Sequence, residues 1–419
     1  MRKSSLLVVT IAVTAALTLS ACGSRGGKSD SGADNAGASN GGGNSSSTKV
    51  VIGIDAPISG SLSALGLGIR NSVELAAKQA NAKNYVPGVT FSIEAKDDQA
   101  NPTTGKQNAT ALVDTKGVVG VVGPLNSSVS LTMQKVFDDA KLAQISPANT
   151  SPDLSLGPDW GSGKFARQYQ SYFRTATTDV VQGKFAAQYL YNDAKKTKVY
   201  VIDDKKTYGA GLASIFADEF KRLGGTVVGT DHINPGDKDF SAIATKVAGA
   251  GADSVYYGGE YPDAGPLSDQ LKKGGAKVPL FGGDGIYDPE FVKLANGNGE
   301  GDLATSVGVP VEELDSAKEF VANYTAANYK DPYAAYGGYS YDAAWAIIEA
   351  VKAAVEHNGG KVPADLRTQV LAELGKVKFT GVTGPVAFDE YGDTTNKQLT
   401  VYSVQSGAWK KVKSGTYSG

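Results

Sequence analysis

The sequence predicts an α/β fold in two β-α lobes with a cleft between them. From Lys49 onward short β-branched runs alternate with stretches of helical periodicity, and the alternation starts afresh near Asp179. Such alternation argues for parallel sheets covered by helices on both faces. Chain length points the same way. Once the 21-residue leader described below is removed, 398 of the 419 residues remain, and chains beyond about 250–300 residues divide into domains.

The first series opens with the strand Val50–Ile54 and an amphipathic helix over 66–83. It continues with strand 90–95, helix 103–114, strand 118–122, helix 127–141 and strand 143–146. Residues 151–173, rich in Gly, Ser and aromatics without periodicity, read as a long loop at the edge of this lobe. The second series runs helix 179–193, strand 199–202, helix 209–223, strand 226–228, helix 240–248, strand 254–257, helix 264–273 and strand 279–281. Helices are expected over 316–329, 339–356 and 365–374, and a β tail over 377–412 that could rejoin either lobe.

Ahead of the folded part stand Arg2 and Lys3, an apolar run from Leu6 to Leu19, and Leu19-Ser20-Ala21 before the chain's single cysteine, Cys22. This is the pattern of a lipoprotein signal peptide, cut before a cysteine that takes a lipid. An apolar run of that length is short of the roughly 20 residues that span a bilayer. Residues 23–48 are mostly Gly, Ser, Asn, Ala and Asp and read as a flexible Gly/Ser-rich tether. The mature chain keeps no disulfide, so its stability must come from buried core. Loss of Arg2 and Lys3 takes the net charge from −2 to −4, without charge blocks, which argues against both nucleic acid and anionic lipid headgroups as partners.

Several chemistries are excluded by absence. The only histidines are His232, read as lying next to a strand, and His357, at a helix end, so no histidine cluster is present to bind metal. Neither is read as lying at a strand end, where open α/β sheets place their sites, so both read as surface residues. Tyr208-Gly209-Ala210-Gly211 and Gly282–Gly285 lack the spacing of a dinucleotide or P-loop motif. No cofactor and no catalytic residue is expected.

The informative constellation lies at four strand ends: Gly123–Ser128, Ser146–Thr150, Asp203–Gly211 and Phe281–Tyr287. Ser127 and Ser128 open a helix, where free N–H groups and the helix dipole favour an anion such as a carboxylate, or where serine simply caps the helix. Asp284, flanked by glycines, suits an ammonium, or is an ordinary turn aspartate.

Val50–Gly60, Val121–Ser127, Ile145–Pro152, Asp203–Ala213, Val255–Pro262, Phe281–Gly285 and Gly384–Asp393 resemble the Leu/Ile/Val-binding proteins, the extracytoplasmic substrate-binding proteins of branched-chain amino acid ABC transporters. The resemblance covers Lys49 to the C-terminus. It implies a type I periplasmic-binding-protein fold, two Rossmann-like lobes with parallel sheets joined by three crossovers near 174–178, 305–308 and 385–392. The implied division is signal peptide 1–21, tether 22–48, first lobe 49–174 and 307–386, second lobe 175–306, and a crossover with the last part of the second lobe over 387–419.

By the same resemblance Ser127 and Thr150 hold a ligand α-carboxylate, Thr150 and Ala148 approach its ammonium, Asp284 pairs with the ammonium, and Tyr208 covers the ligand on closure. Leu65, Leu125 and Asn126 fall in the pocket. The family pattern has tyrosine at the positions of Leu65 and Glu260, glutamate at that of Asp284, and a disulfide at those of Ala100 and Asn126. Glu260 is therefore open to two readings: a second acid facing a basic amino acid, amide or polyamine, or a residue turned outward while Tyr261 covers the ligand. The implied function is a non-enzymatic, monomeric lipoprotein that captures a free amino acid, with leucine, isoleucine or valine as the first expectation. It would deliver that ligand to an ABC-transporter permease from the outer face of the cell membrane, held there by Cys22. The same fold acting as a ligand sensor is the alternative role.

Overall fold

The computed structural model describes residues 47–417; the leader, Cys22 and nearly all of the tether lie outside them. The first lobe is built from β1 (Thr48–Ala56), α1 (Ser63–Ala82), β2 (Val89–Asp97), α2 (Pro102–Asp114), β3 (Val118–Val122), α3 (Ser127–Asp139), β4 (Ala143–Ser146), the single turn α4 (Asp153–Leu156) and β5 (Tyr172–Arg174). The second contains α5 (Asp179–Gln188), β6 (Lys198–Asp203), α6 (Thr207–Arg222), β7 (Thr226–His232), α7 (Ser241–Gly249), β8 (Ser254–Gly258), α8 (Tyr261–Lys273), β9 (Leu280–Gly282), α9 (Pro289–Leu294) and β10 (Leu303–Ser306). The chain then forms α10 (Lys318–Ala326), α11 (Gly337–His357) and α12 (Leu366–Leu374), of which α11 and α12 pack on the first sheet. A hairpin of β11 (Lys378–Gly381) and β12 (Gly384–Ala387) follows, and β13 (Gln398–Gln405) and β14 (Ala408–Thr416) close the fold.

The first sheet has the order β2-β1-β3-β4-β5, all parallel. The second has the order β14-β13-β10-β9-β8-β6-β7, parallel from β10 to β7, with β13 and β14 added antiparallel at one edge. The β tail thus rejoins the second lobe. Each sheet reverses its strand order beside its first strand, between β1 and β3 and again between β6 and β8. Crevices at the carboxyl ends of such strands are where doubly wound sheets bind ligands.

Close packing holds these strand ends in place. The start of α6 rests on the end of β8 backbone to backbone: a Cβ on Gly258 would lie 2.0 Å from the Gly209 carbonyl oxygen, and one on Gly209 2.4 Å from that of Gly258. Only glycine fits at both places. In the first lobe, fully buried Ile347 of α11 packs directly over Gly120 of β3.

Four expectations need correction. Within 151–173 the chain makes α4 and a short 3-10 turn, and the stretch read as loop ends by entering β5, the fifth strand of the first sheet. β10, a parallel strand paired with β9, has no counterpart among the expected strands, and its last two residues fall within the crossover expected near 305–308. β5 and β10 are short, with three and four residues, and each lies outside the regular β-α alternation that marks the equally short β4 and β9. The third crossover begins later than 385: Gly384–Ala387 pairs in the hairpin, whose turn is tied to α11 by Asp342 accepting from the Val382 and Thr383 N–H groups, and the connection runs over 388–397. His232 is the last residue of β7, at a strand end after all. That strand is the edge of its sheet, and the ring lies half-exposed against Asp203, Nδ1 to Oδ2 2.8 Å.

Arg174 fixes the first crossover. Fully buried, its guanidinium donates from Nε to Asp393 Oδ1 at 2.6 Å, from Nη1 to the carbonyls of Asn149 and Ser151, and from Nη2 to the Ser155 hydroxyl. One side chain thus ties the end of β5, the loop after β4 and the third crossover together. Asp393→Ala, which strands a buried cation, is expected to lower unfolding free energy by about 3–5 kcal/mol; urea unfolding of the variant against the parent measures it.

Candidate ligand-binding site

On the first lobe, the loop from β3 into α3 is pinned to the loop after β4. Ser146 Oγ donates to the Pro124 carbonyl at 2.8 Å, and Asn149 Nδ2 donates to the carbonyls of Pro124 (3.2 Å) and Leu125 (2.8 Å). Ser146 Oγ in turn accepts from the N–H groups of Ala148 and Asn149. The cap position of α3 is Asn126, not a serine, and its side chain makes no capping bond. The first N–H groups of α3 thus keep their capacity for an anion, with Ser127 beside them.

On the second lobe, Asp284 follows β9 and is buried. Its Oδ1 accepts from Gln182 Nε2 (2.9 Å) and the Tyr208 hydroxyl (2.8 Å), and its Oδ2 from the Tyr336 hydroxyl (2.8 Å). Gln182 is oriented in turn, its Oε1 accepting from Asp284 N and Thr305 Oγ1. A carboxylate has about four acceptor sites, so one remains. Burial pushes the Asp284 carboxyl above its ordinary value, and the three donors pull it back. Beneath it lies fully buried Asp179, driven well up by burial and by Asp284, with one oxygen lacking a partner. Among the described residues neither acid forms a salt bridge; Arg174, which favours the charged form of Asp179, is committed to Asp393.

These two faces meet in one cavity lined by Leu65, Leu125, Asn126, Ser127, Ala148, Tyr208, Glu260, Asp284, Gly285 and Tyr336. The cleft is closed down to about 20 Å³ of space for a water centre, room for about one water molecule. Hydrogen bonds span it: Tyr336 to Asp284, Asn126 Nδ2 to Glu260 Oε1, and the Tyr261 hydroxyl to the Ser61 carbonyl at 2.6 Å. A ligand enters only when these part.

Eight of the ten expected pocket residues line the cavity. Thr150 and Tyr261 do not. Thr150 is fully buried beside Asp179, whose N–H donates to the Thr150 carbonyl at 2.8 Å. Tyr261 is used as a bridge between lobes, and Glu260, which one reading turned outward, lines the cavity. Glu260 is no free acid, because Lys206 Nζ pairs with Oε2 and also stands 3.6 Å from Asp204. Sequence reading missed Tyr336, Gln182 and Asp179. Tyr336 sits just before α11 instead of at a strand end, and the other two lie in the first turn of α5, where only their burial marks them.

A sequence profile described as periplasmic binding protein matches residues 49–408, nearly all of the folded chain. The chain belongs to the periplasmic binding protein family. Relatives include Leu/Ile/Val-binding protein homolog 2 of Brucella abortus (strain 2308), 31% identical over 376 residues, covering 90% of this chain and 94% of that protein. Leu/Ile/Val-binding protein BraC3 of Rhizobium johnstonii is 31% identical over 358 residues, covering 85% and 92%. Among solved structures, the branched-chain amino acid transporter substrate-binding protein LivJ of Streptococcus pneumoniae, in complex with isoleucine, matches with TM-score 0.76 at 26% identity, covering 88% of this chain and 99% of that one. A solute-binding protein of R. palustris in complex with 4-hydroxybenzoate has the same fold, with TM-score 0.75 at 19% identity over 88% and 97%. This periplasmic binding protein is thus of the branched-chain amino acid ABC transporter type, and its fold is the two-lobed type I fold the resemblance implied.

Buried acids around the cleft give the protein a pH signature. Burial and neighbouring Glu260 raise Asp204 from 3.8 to about 7, and burial raises Asp98 to about 6. An acid held protonated in the folded state but ionised in the unfolded chain stabilises below its unfolded pKa, and that stability is lost as pH rises to the folded pKa. The melting temperature of ligand-free protein is therefore expected to fall between pH 5 and pH 7.5, and less steeply in Asp204→Asn. A flat profile, or one unchanged by the substitution, contradicts the assignment.

Proposed function

We propose that this periplasmic binding protein captures a free α-amino acid and passes it to an ABC-transporter permease. The observation that carries the reading is the polarity of the closed cleft. At one wall stand uncapped N–H groups and a serine hydroxyl at the start of α3. At the other stands a buried carboxylate that, among the described residues, has no cation and three hydrogen-bond donors, leaving one acceptor site for a ligand. A zwitterion satisfies both ends: its carboxylate meets the helix terminus and its ammonium meets Asp284. Ligand binding then favours the closed form by as much as its affinity differs between closed and open states.

The ligand side chain points toward Leu65, Leu125, Asn126, Glu260 and Tyr336 in this reading. Pairing of Glu260 with Lys206 removes the free negative charge that a basic amino acid or polyamine would need. That supports a neutral side chain, with leucine, isoleucine and valine as candidates in keeping with the names of the relatives. Cys22 is proposed as the lipid anchor that holds the protein at the outer face of the cell membrane.

In a thermal-shift screen of the common amino acids, aliphatic ones are expected to raise the melting temperature, since a ligand of the native state alone adds stability. Asp284→Asn is expected to weaken that binding by about 2–5 kcal/mol, the cost of removing a buried charge partner, as read by calorimetry. Unchanged affinity removes Asp284 from the site. Mass spectrometry of protein from its native membrane is expected to find an acylated Cys22 as the first residue; an unmodified or upstream N-terminus contradicts the anchor.

A further inference from the structure

The first lobe holds a larger cavity at the opposite end of its sheet. It lies at the amino ends of β1 and β3 under the α11–α12 connection, and has a volume of about 520 Å³, within the roughly 300–1,000 Å³ usual for small-molecule sites. Its floor is apolar, made by Val50, Val118, Val119 and Leu366 with Val362 and Pro363 at the side. Lys49, Lys116 and Arg367 are the charged residues lining it, and no acid is among them. Among the described residues none of these three cations forms a salt bridge. Asp114 acts on Arg367 from beyond contact distance.

Arg367 is set in place. Its Nε donates to the Val118 carbonyl at 3.1 Å and its Nη2 to the Val113 carbonyl at 2.9 Å, two of five N–H donors. Half-buried, it gains less from water than a surface arginine, and burial lowers its pKa. An anion at this spot would meet a guanidinium already oriented and two lysines free to swing onto it. Thr48, the first residue of β1, lines the same cavity. The chain therefore enters the fold at its rim, 26 residues after Cys22.

We propose that this cavity is a second binding site, for an amphipathic anion whose acidic head sits among Lys49, Lys116 and Arg367 and whose apolar body lies along Val50, Val118, Val119 and Leu366. Anionic membrane lipid and free fatty acid share that chemistry. The site is separate from the amino-acid cleft and does not depend on the function assigned to it.

The test titrates dodecyl phosphate, below its micellar concentration, into the full mature chain carrying Cys22→Ser. Saturable binding of one molecule per chain is expected, weakened about tenfold by Arg367→Gln and severalfold by Lys49→Gln with Lys116→Gln. A cleft ligand is expected not to compete. The two lysines are exposed, so their double variant keeps the test available if Arg367→Gln fails to fold. A second arm floats the same proteins with vesicles of phosphatidylglycerol and phosphatidylcholine. Flotation that the same substitutions abolish assigns the source to the membrane, whereas dodecyl phosphate binding without flotation assigns it to free amphiphiles. Absence of saturable binding, affinity unchanged in both variants, or competition by a cleft ligand overturns the proposal.

Discussion

A carboxylate buried without a cation is the constraint on which this site depends. Among the described residues Asp284 has three hydrogen-bond donors and no counter-charge, and Asp179 lies close enough to it to raise the cost of ionising both. Such a group is tolerated where a ligand brings the missing charge or where the acid keeps its proton. Two of its donors come from the second lobe and the third, Tyr336, from the first. Asp284 is therefore also a point at which the lobes grip one another.

Topology explains why the start of α3 and the buried Asp284 line one cavity. Both sheets reverse strand order beside their first strand, so both open a crevice at their carboxyl ends, and the crossovers turn those ends toward a common cleft. Ser127 comes from the loop after β3, Ala148 from that after β4, Tyr208 from the start of α6, and Glu260 and Asp284 from the loops after β8 and β9. The glycine contact between α6 and β8 brings Tyr208 within reach of Asp284, since any side chain there would push the helix away. Tethering of these loops by Ser146, Asn149 and Gln182 holds the geometry before a ligand arrives.

Much of this was legible in the sequence because it rests on local pattern. Alternating β-branched and amphipathic runs locate most of the parallel strands, strand-end loops draw attention to Ser127, Tyr208 and Asp284, and the family resemblance draws it to Glu260. What escaped depends on contacts distant in sequence. β5 and β10 are strands because neighbours pair with them, and neither stands in a β-α alternation of the kind that marks the equally short β4 and β9. Tyr336 reaches Asp284 from a helix start 52 residues away, and Glu260 reads as a free acid until Lys206 is seen against it. The serines at α3 looked equally like caps, and only the position of Asn126 one residue earlier resolved them.

The central claim is that an amino acid lies across the cleft with its ammonium on Asp284 and its carboxylate at the start of α3. A crystal structure with a bound amino acid tests this most directly. The account predicts the ligand nitrogen within hydrogen-bond distance of an Asp284 oxygen, and the ligand carboxylate against Ser127 and the first N–H groups of α3. A ligand bound in the reverse sense, or elsewhere with Asp284 still enclosed by Gln182, Tyr208 and Tyr336 alone, would contradict it.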